Sequence, residues 1–580
     1  MRKTKIICTV GPATDDEKIL RKLIENGMNV ARHNFSHGDH EEHKVRMDTI
    51  KKLRKELNQP VAILLDTKGP EIRTREIPGG RVVKLGEEIT LTTEEADITD
   101  DRIPLSYPDL TRDMAGVKSI LIDDGNIELE VLAVGDKDIR CRVMNNGLIE
   151  SRKGVNVPGA ILKMPILSEK DKADILFGIE NDVDYIAASF VRSEKDVLSI
   201  RHLLDKNGGK DIMIIAKIEN GEGVDNIDEI LALADGVMVA RGDLGVEVSY
   251  DQVPFIQKEI IRKSQGKSKP AIIATQMLDS MIHNPRPTRA EVSDVYNAIF
   301  EAASSIMLSG ETAKGDYPLE CFKVMDKTAL SSEAKVDYEH RFFASQATHV
   351  NSVTGAITNA AVTTAYNLAA DAIIVLTTSG KTAFSISRLR PAIPIITITP
   401  RRKVYNQLAL NWGIIPYVID MKEDFEAMVK EAMDTARDSG IVKDGDLVVI
   451  VAGMPVGIAG RTNSIRIETV GDVIGRGRGI VKGKASGRTC ICRTASEGIQ
   501  EFQDGDILVA SSTDKEYLPL MKRAGGIILE NSDTHEHAET VGVTLDIPVI
   551  SDVTNALDFL KHGRIISLDG DNGLIYTGEI

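Results

Sequence analysis

The chain has 580 residues, 42% hydrophobic and 27% charged, proportions of an ordinary globular protein rather than a disordered or fibrous one. At about 150 residues per domain, that length predicts three or four domains. Acidic residues outnumber basic ones by 87 to 71, and the formal charge of −16 argues against nucleic acid or an anionic membrane as the main partner. Small anions held by local clusters of cations stay open.

The opening stretch "MRKTKIICTVGPATDDEK" carries basic residues but only a short apolar run before Gly11-Pro12. That run is too short for a secretory signal, and no later segment reads as a membrane span. The five cysteines (Cys8, Cys141, Cys321, Cys490 and Cys492) lack metal-ligand spacing. The one close pair, Cys490-x-Cys492, reads as two strand residues on one face. A sparse, odd set fits a reducing compartment, so the expected location is the cytoplasm.

Along the first two-thirds, short apolar runs alternate with helical patterns such as "DEKILRKLIENG" and "EKDVLSIRHLLDKNGG". Eight strands are expected, at "KIICTV", "MNVARHNFS", "VAILLDT", "DYIAASFV", "DIMIIAKIE", "GVMVARGDL", "PAIIAT" and "SSIMLSG". Eight strands separated by helices predict a closed parallel (β/α)₈ barrel, the TIM barrel, over residues 1–70 and 156–342. Between the third and fourth strands the pattern changes to short alternating runs, "RVVKLG", "EEITLTT" and "KSILIDDGNIELEVLAVG", with a hairpin signal at Asp124-Gly125. This predicts a small inserted β-barrel lid over 71–155. An α/β segment follows at 343–472, with strands at "DAIIVLTTSG" and "DLVVIVAG", and after the flexible joint "GRGRG" a further α/β unit fills 480–580.

The chemistry gathers at the strand ends. The second strand ends Arg32-His33-Asn34-Phe35-Ser36, where alternation places Arg32, Asn34 and Ser36 on one face. The third ends Asp66-Thr67, the fourth at Ser189, the fifth at Lys217 and Glu219, the sixth at Arg241-Gly242-Asp243, the seventh at Thr275, and the eighth at Ser309 with Glu311 beyond. Any one of these alone reads as a solvated or capping strand end, and Lys217–Glu219 alone reads as a plain ion pair. Barrel enzymes assemble their sites from the C-terminal ends of their strands, so so many polar ends predict one active mouth. Glu219 and Asp243 are hard oxygen donors without neighbouring Cys or His, favouring Mg²⁺ or Mn²⁺ over zinc. Asn34, Ser36, Asp66 and Thr67 would suit a monovalent cation, and Arg32, Arg73 and Lys217 an anionic substrate.

The segments "MNVARHNFSHGDHEEH", "LLDTKGPEIRT", "SRKGVNVPG", "AKIENGEG", "MVARGDLGVE", "ATQMLDSMIHNPRPTRAE" and "MLSGETAKGDYP" resemble the pyruvate kinase family, in order, from Arg2 to about Val470. The layout of barrel, inserted lid, regulatory domain and extra terminal domain is also similar to some bacterial members. The resemblance implies phosphoryl transfer from phosphoenolpyruvate to ADP, giving ATP and pyruvate, in a homotetramer. It implies Glu219 and Asp243 as Mg²⁺ ligands, Gly242 and Thr275 as substrate-seating groups, and Asn34, Ser36, Asp66 and Thr67 as K⁺ ligands. Arg32 would meet the phosphoryl group, and Lys217 would stabilise its charge in flight. Arg73, Lys153 and the turn Asn34, Phe35, Ser36, His37 would meet the nucleotide. Glu71 in "GPEIR" is the residue type of K⁺-dependent members.

Three places depart from the family pattern. Where it reads Asp-Gly-Thr/Ala-Asp-Ala, this chain has Glu301-Ala302-Ala303-Ser304-Ser305, losing a glycine that ends a helix in a left-handed turn. His33 stands where Leu or Met is usual and is expected to be a hydrogen-bonded core histidine. The last 100 or so residues resemble the swivelling phosphohistidine domain of phosphoenolpyruvate-utilising enzymes. The stretch Ser532-Asp533-Thr534-His535-Glu536-His537-Ala538-Glu539 keeps a histidine, His537, but lacks the family's glycines and Thr-Ser, which predicts a structural or regulatory role.

In "TTSGKT" (Thr377, Thr378, Ser379, Gly380, Lys381, Thr382) a strand passes into a helix, which reads either as an ordinary helix start or as an anion site. Similarity to the family's effector loop favours a phosphorylated allosteric activator. Two competing readings remain, a Mg²⁺-dependent lyase or aldolase using the same mouth, and a non-catalytic sugar-phosphate sensor.

Overall fold

A computed structural model describes residues 1–94, 102–345, 352–422, 424–454, 462–531 and 535–578. All eight expected barrel strands form: β1 (Lys5–Thr9), β2 (Val30–Asn34), β3 (Ala62–Asp66), β4 (Tyr185–Ala188), β5 (Met213–Ile218), β6 (Gly236–Ala240), β7 (Ala271–Ala274) and β8 (Ser305–Leu308). They pair in chain order, every ladder parallel, and β8 closes on β1 with Lys5 opposite Ser305.

Each strand is buried on both faces, which is why it reads as an apolar run rather than an alternation. Side chains still alternate. Ile7, Val30, Leu64, Tyr185, Ile215, Met238, Ile272 and Met307 fill the barrel's interior. Their neighbours Ile6, Cys8, Ala31, Ile63, Leu65, Ile214 and Ala216 face the surrounding helices. Continuing the interior rows by two residues reaches Thr9, Arg32, Asp66 and Lys217, and by four from Tyr185, through Ala187, reaches Ser189, so period-2 geometry turns these polar groups into the barrel's upper layer. Leu410, from the chain beyond the barrel, joins the interior cluster, and Lys5 Nζ donates to Ile414 O at 2.7 Å.

The inserted lid holds a seven-stranded ladder and a two-stranded one around a core that includes Ile89, Leu91, Ile120, Ile122, Leu129 and Ile139. The hairpin between Ser119–Ile122 and Ile127–Val134 turns at Asp123, Asp124 and Gly125, all with positive φ.

The chain divides into two compact units. One comprises Met1–Asn359, Thr377–Val418 and Gly457–Thr462, the other Ala360–Leu376, Ile419–Val456 and Asn463–Ile580, so the segment 343–472 contributes to both. In the second unit an eight-stranded sheet is built from strands between Val473 and Thr577. Cys490 and Cys492 share one of its apolar clusters with their sulfurs 3.6 Å apart, as strand alternation predicts.

Three local expectations are refined. β2 ends at Asn34, and Phe35 and Ser36 lie in a turn, so strand alternation does not carry Ser36 onto the face of Arg32. His33 is fully buried as expected, but neither ring nitrogen has a hydrogen-bond partner among the described residues. Burial and nearby cations hold its pKa well below the usual imidazole range, keeping the ring neutral. At the lost glycine the helix Arg289–Phe300 still ends in a left-handed turn, with Ala302 at φ 73°. The turn survives with a conformational cost of roughly 1–2 kcal/mol that glycine avoids.

Candidate active site

Lys217 sits at the centre of the barrel mouth. Its ammonium donates to Ser189 Oγ at 2.6 Å and lies 3.1 Å from Asp66 Oδ1 and 3.0 Å from Glu219 Oε1. Burial opposes the charge on this lysine, but Asp66 and Glu219 outweigh it and hold the pKa above the ordinary lysine range. Asp66 is completely buried and takes a second cation on its other oxygen, Arg32 Nε at 2.6 Å. Burial raises the Asp66 pKa and the two cations lower it further, leaving a carboxylate. Arg32 is fixed at its other end by Thr9 Oγ1, 3.0 Å from Nη1, and Thr9 in turn donates to Leu308 O. Two cations and one shared carboxylate thus face one space.

Glu219 follows the end of β5 and accepts the Phe190 N–H at 2.6 Å. Burial raises its carboxyl pKa, Lys217 opposes and Asp243 adds to the rise, and together they leave it at about 7. Asp243, in the short helix Arg241–Glu247, is likewise raised, by burial first and then by Asp124 and Glu71 of the lid segment, with Lys217 and a bond to Glu219 opposing. A buried carboxyl and a half-buried one, near enough to perturb each other, form a donor pair that fits a hard divalent cation taking its remaining ligands from substrate and water. Among the described residues no group of three or more His, Cys, Asp or Glu is placed to hold a metal ion by itself.

Of the expected monovalent ligands, Asn34 and Asp66 end two adjacent strands and Ser36 and Thr67 lie just past them. Asn34 is directly opposite Asp66 in the β2–β3 register, and Phe35 N–H donates to Asp66 O. Thr67 Oγ1 accepts from Ser189 N at 3.2 Å, while Ser189 Oγ donates to Thr67 O at 2.7 Å. The recorded partners of Glu71 are Arg73 at 2.6 Å and Lys68 at 3.7 Å. At Thr275, φ is 68°, unusual for a β-branched residue. Its hydroxyl accepts Gly242 N–H at 2.8 Å and its carbonyl accepts Arg241 Nη2 at 2.8 Å, which together hold the strained backbone.

Arg73 and Lys153 are not drawn into the Lys217 cluster. They line a cleft of about 550 Å³ together with Asp123, Asp124, Asn156, Asp243 and Glu247. Arg73 pairs with Glu71 and donates to Arg152 O at 2.7 Å, and Lys153 pairs with Asp123 at 2.9 Å. Asn156 Nδ2 bridges lid to barrel through Glu247 Oε1 at 2.8 Å. In the TTSGKT loop, Gly380 takes φ 81° and precedes the helix Lys381–Ser387, its N–H bound to Thr377 Oγ1. Thr382 Oγ1 lies 2.6 Å from Thr462 Oγ1. Ser532, Asp533 and Thr534 lie outside the described residues; His537 Nδ1 is 3.2 Å from Thr513 Oγ1.

Sequence reasoning passed over Thr9 and Asn156–Glu247, and noted Ser189 and Arg241 only as strand ends. The alternation Ile7–Thr9 was signal enough for Thr9; a bond spanning 91 residues, as between Asn156 and Glu247, has no sequence signature.

A closed parallel barrel with buried cations and a paired carboxylate site at its C-terminal mouth, under an inserted β lid, defines a barrel enzyme built to handle anionic substrates. The description "Pyruvate kinase, barrel domain" matches residues 1–322, "Pyruvate kinase, alpha/beta domain" residues 355–468, and "PEP-utilising enzyme, mobile domain" residues 502–573. Pyruvate kinases of Sporosarcina psychrophila and Geobacillus stearothermophilus are 46% and 48% identical to it, each alignment covering 100% of this chain and 99% of the relative. A crystal structure of a pyruvate kinase from Cryptosporidium parvum is similar with a TM-score of 0.77 at 38% identity, covering 81% of this chain and 96% of that one. The chain belongs to the pyruvate kinase family and is a phosphotransferase.

Proposed function

We propose that this enzyme transfers the phosphoryl group of phosphoenolpyruvate to ADP, giving ATP and pyruvate as in the last step of glycolysis. The observation that carries the reading is the Lys217 ammonium, buried among Asp66, Glu219 and Ser189 beside Arg32. Phosphoryl transfer asks chiefly for positioning and for charge stabilisation between two anions. Lys217 and Arg32 supply preorganised positive charge for the moving group, and Asp66 orients both. Glu219 and Asp243 would hold Mg²⁺ or Mn²⁺, which would supply Lewis-acid stabilisation of the charge that develops on the substrate. Gly242 and Thr275 seat the substrate, with Thr275 near the site where the enolate is protonated. Arg73, Lys153 and the Asn34–His37 turn meet the nucleotide, and Asn34, Ser36, Asp66 and Thr67 would hold K⁺, Glu71 marking the K⁺-dependent type.

The same reading includes a phosphorylated activator at Thr377–Thr382, a homotetramer, and a cytoplasmic location, the last consistent with five buried free cysteines. Among the described residues no helix is long and apolar enough to cross a membrane. The test is pyruvate formation from phosphoenolpyruvate and ADP with Mg²⁺, run with and without K⁺. Turnover requiring both cations supports the reaction and both cation sites. Turnover indifferent to K⁺ removes the monovalent site and the role of Glu71, and no turnover with either cation, even with candidate effectors, returns the lyase and sensor readings.

A further inference from the structure

An ionic relay through the buried Asp174, with Lys170 and His40 half-exposed at its ends, reaches the mouth from a helix with no part in the chemistry described above. The helix Glu169–Glu180 begins at Ser168, whose side chain forms a reciprocal capping box with Asp171. Lys170, one residue into that helix, sends its ammonium to Phe35 O at 2.8 Å and to Asp174 Oδ2 at 2.6 Å. Asp174 is 1% exposed, and its other oxygen lies 2.7 Å from His40 Nε2. His40 stacks on Phe177 at 4.3 Å, and the Phe35 ring stacks on His43 at 4.0 Å. Lys170, Asp174 and His40 therefore tie a firmly capped helix to one carbonyl.

That carbonyl belongs to the turn proposed to take the nucleotide and K⁺. The Phe35–Ser36 peptide is planar, so its C=O and N–H rotate together. Its C=O is bound by Lys170, and its N–H donates to Asn34 Oδ1 at 3.1 Å. Without Lys170 the plane would be held from one side only, by an oxygen that the functional reading also assigns to K⁺. Lys170 thus leaves Asn34 and Ser36 preset before ligands arrive, a cost otherwise met at binding.

We propose that Lys170, braced by Asp174 and His40, is a positioning residue that fixes the Phe35–Ser36 peptide and so sets affinity for ADP and for K⁺. This inference rests on the proposed function. In the full-length enzyme, Lys170→Met is expected to raise the KM for ADP and the half-activating K⁺ concentration about tenfold, the scale of one lost charge-assisted hydrogen bond. The KM for phosphoenolpyruvate and the kcat at saturating ADP and K⁺ should stay within about threefold, because the groups that meet the phosphoryl are untouched. Lys170→Arg should restore most of the loss.

If Lys170→Met fails to fold, Lys170→Gln, which keeps a donor without the charge, carries the same comparison. A folded variant with unchanged ADP and K⁺ dependence overturns the proposal. So does an equal loss in every parameter with a lowered unfolding temperature, which would mark Lys170 as a packing residue. Absence of turnover in the unaltered enzyme would instead sink the functional reading. If that enzyme is active but indifferent to K⁺, the shift in ADP affinity decides the proposal alone.

Discussion

Lys217→Met perturbs the site at its centre, and the structure sets the size of the effect. The ammonium lies 3.0 Å from Glu219 Oε1 and 3.1 Å from Asp66 Oδ1. At that distance and an effective dielectric of about 20, each pair attracts by about 5 kcal/mol before the cost of burying the charges. Breaking a buried pair by removing one partner typically costs about 3–5 kcal/mol. Here the loss should fall at the low end, because Asp66 keeps Arg32 and Glu219, already raised to about 7, can take up a proton. The fold should therefore persist with a lowered unfolding temperature. Turnover should fall further than stability suggests, by about 10²–10³, the usual consequence of losing one preorganised group that meets transition-state charge. Pyruvate release coupled to NADH oxidation by lactate dehydrogenase, at saturating substrates and cations, reads the turnover. A folded variant with kcat within tenfold of the unaltered enzyme would refute the assignment of Lys217.

Three further outcomes follow from the geometry. Ala302→Gly should stabilise the first unit by about 0.5–1 kcal/mol, since glycine takes φ 73° without a Cβ penalty, and denaturant titration that shows no gain would count against strain there. Asn156→Ala should increase hydrogen exchange of the backbone around residues 154–164 by up to about tenfold, the worth of one hydrogen bond to Glu247, and unchanged exchange would show that this bond does not hold the segment to the barrel. Lys5 is buried against Ile414 O, and burial lowers its pKa from 10.5 to about 7, so the folded chain releases this proton while the unfolded chain still holds it. Stability should rise with pH from about 7 toward 10.5, by at most about 1.4 kcal/mol per pH unit for this group, with Lys3, lowered to about 8, adding above that point. Lys5→Met should flatten the rise between pH 7 and 8; parallel curves for the two proteins would show that Lys5 is not its source.

Much of the barrel was legible because each strand's apolar run is short, bounded by turns and separated by an amphipathic helix. The polar strand ends were legible for the same reason, since a side chain two residues past a buried one points the same way. That logic located Arg32, Asp66, Lys217 and, just past its strand, Glu219, and it would have reached Thr9. It failed at Ser36, where the strand stops at Asn34 and the turn sets direction instead. It failed also at His33, whose burial was foreseeable but whose lack of a hydrogen-bond partner depends on what His43 and Phe35 leave around it. The left-handed turn at Ala302 formed without its glycine because the helix end and the start of β8 fix the chain on both sides.

The sequence by itself determined the strands, the inserted lid, the donor types at the mouth and the family to which they belong, because periodicity and residue chemistry are local properties. Only the tertiary structure decided that Asp66 is shared by Arg32 and Lys217, that Asn156 meets Glu247, and that Lys170 reaches Phe35 O across 135 positions. Such contacts depend on how closed ladders and packed helices bring distant backbone together, and chain spacing carries no record of that distance.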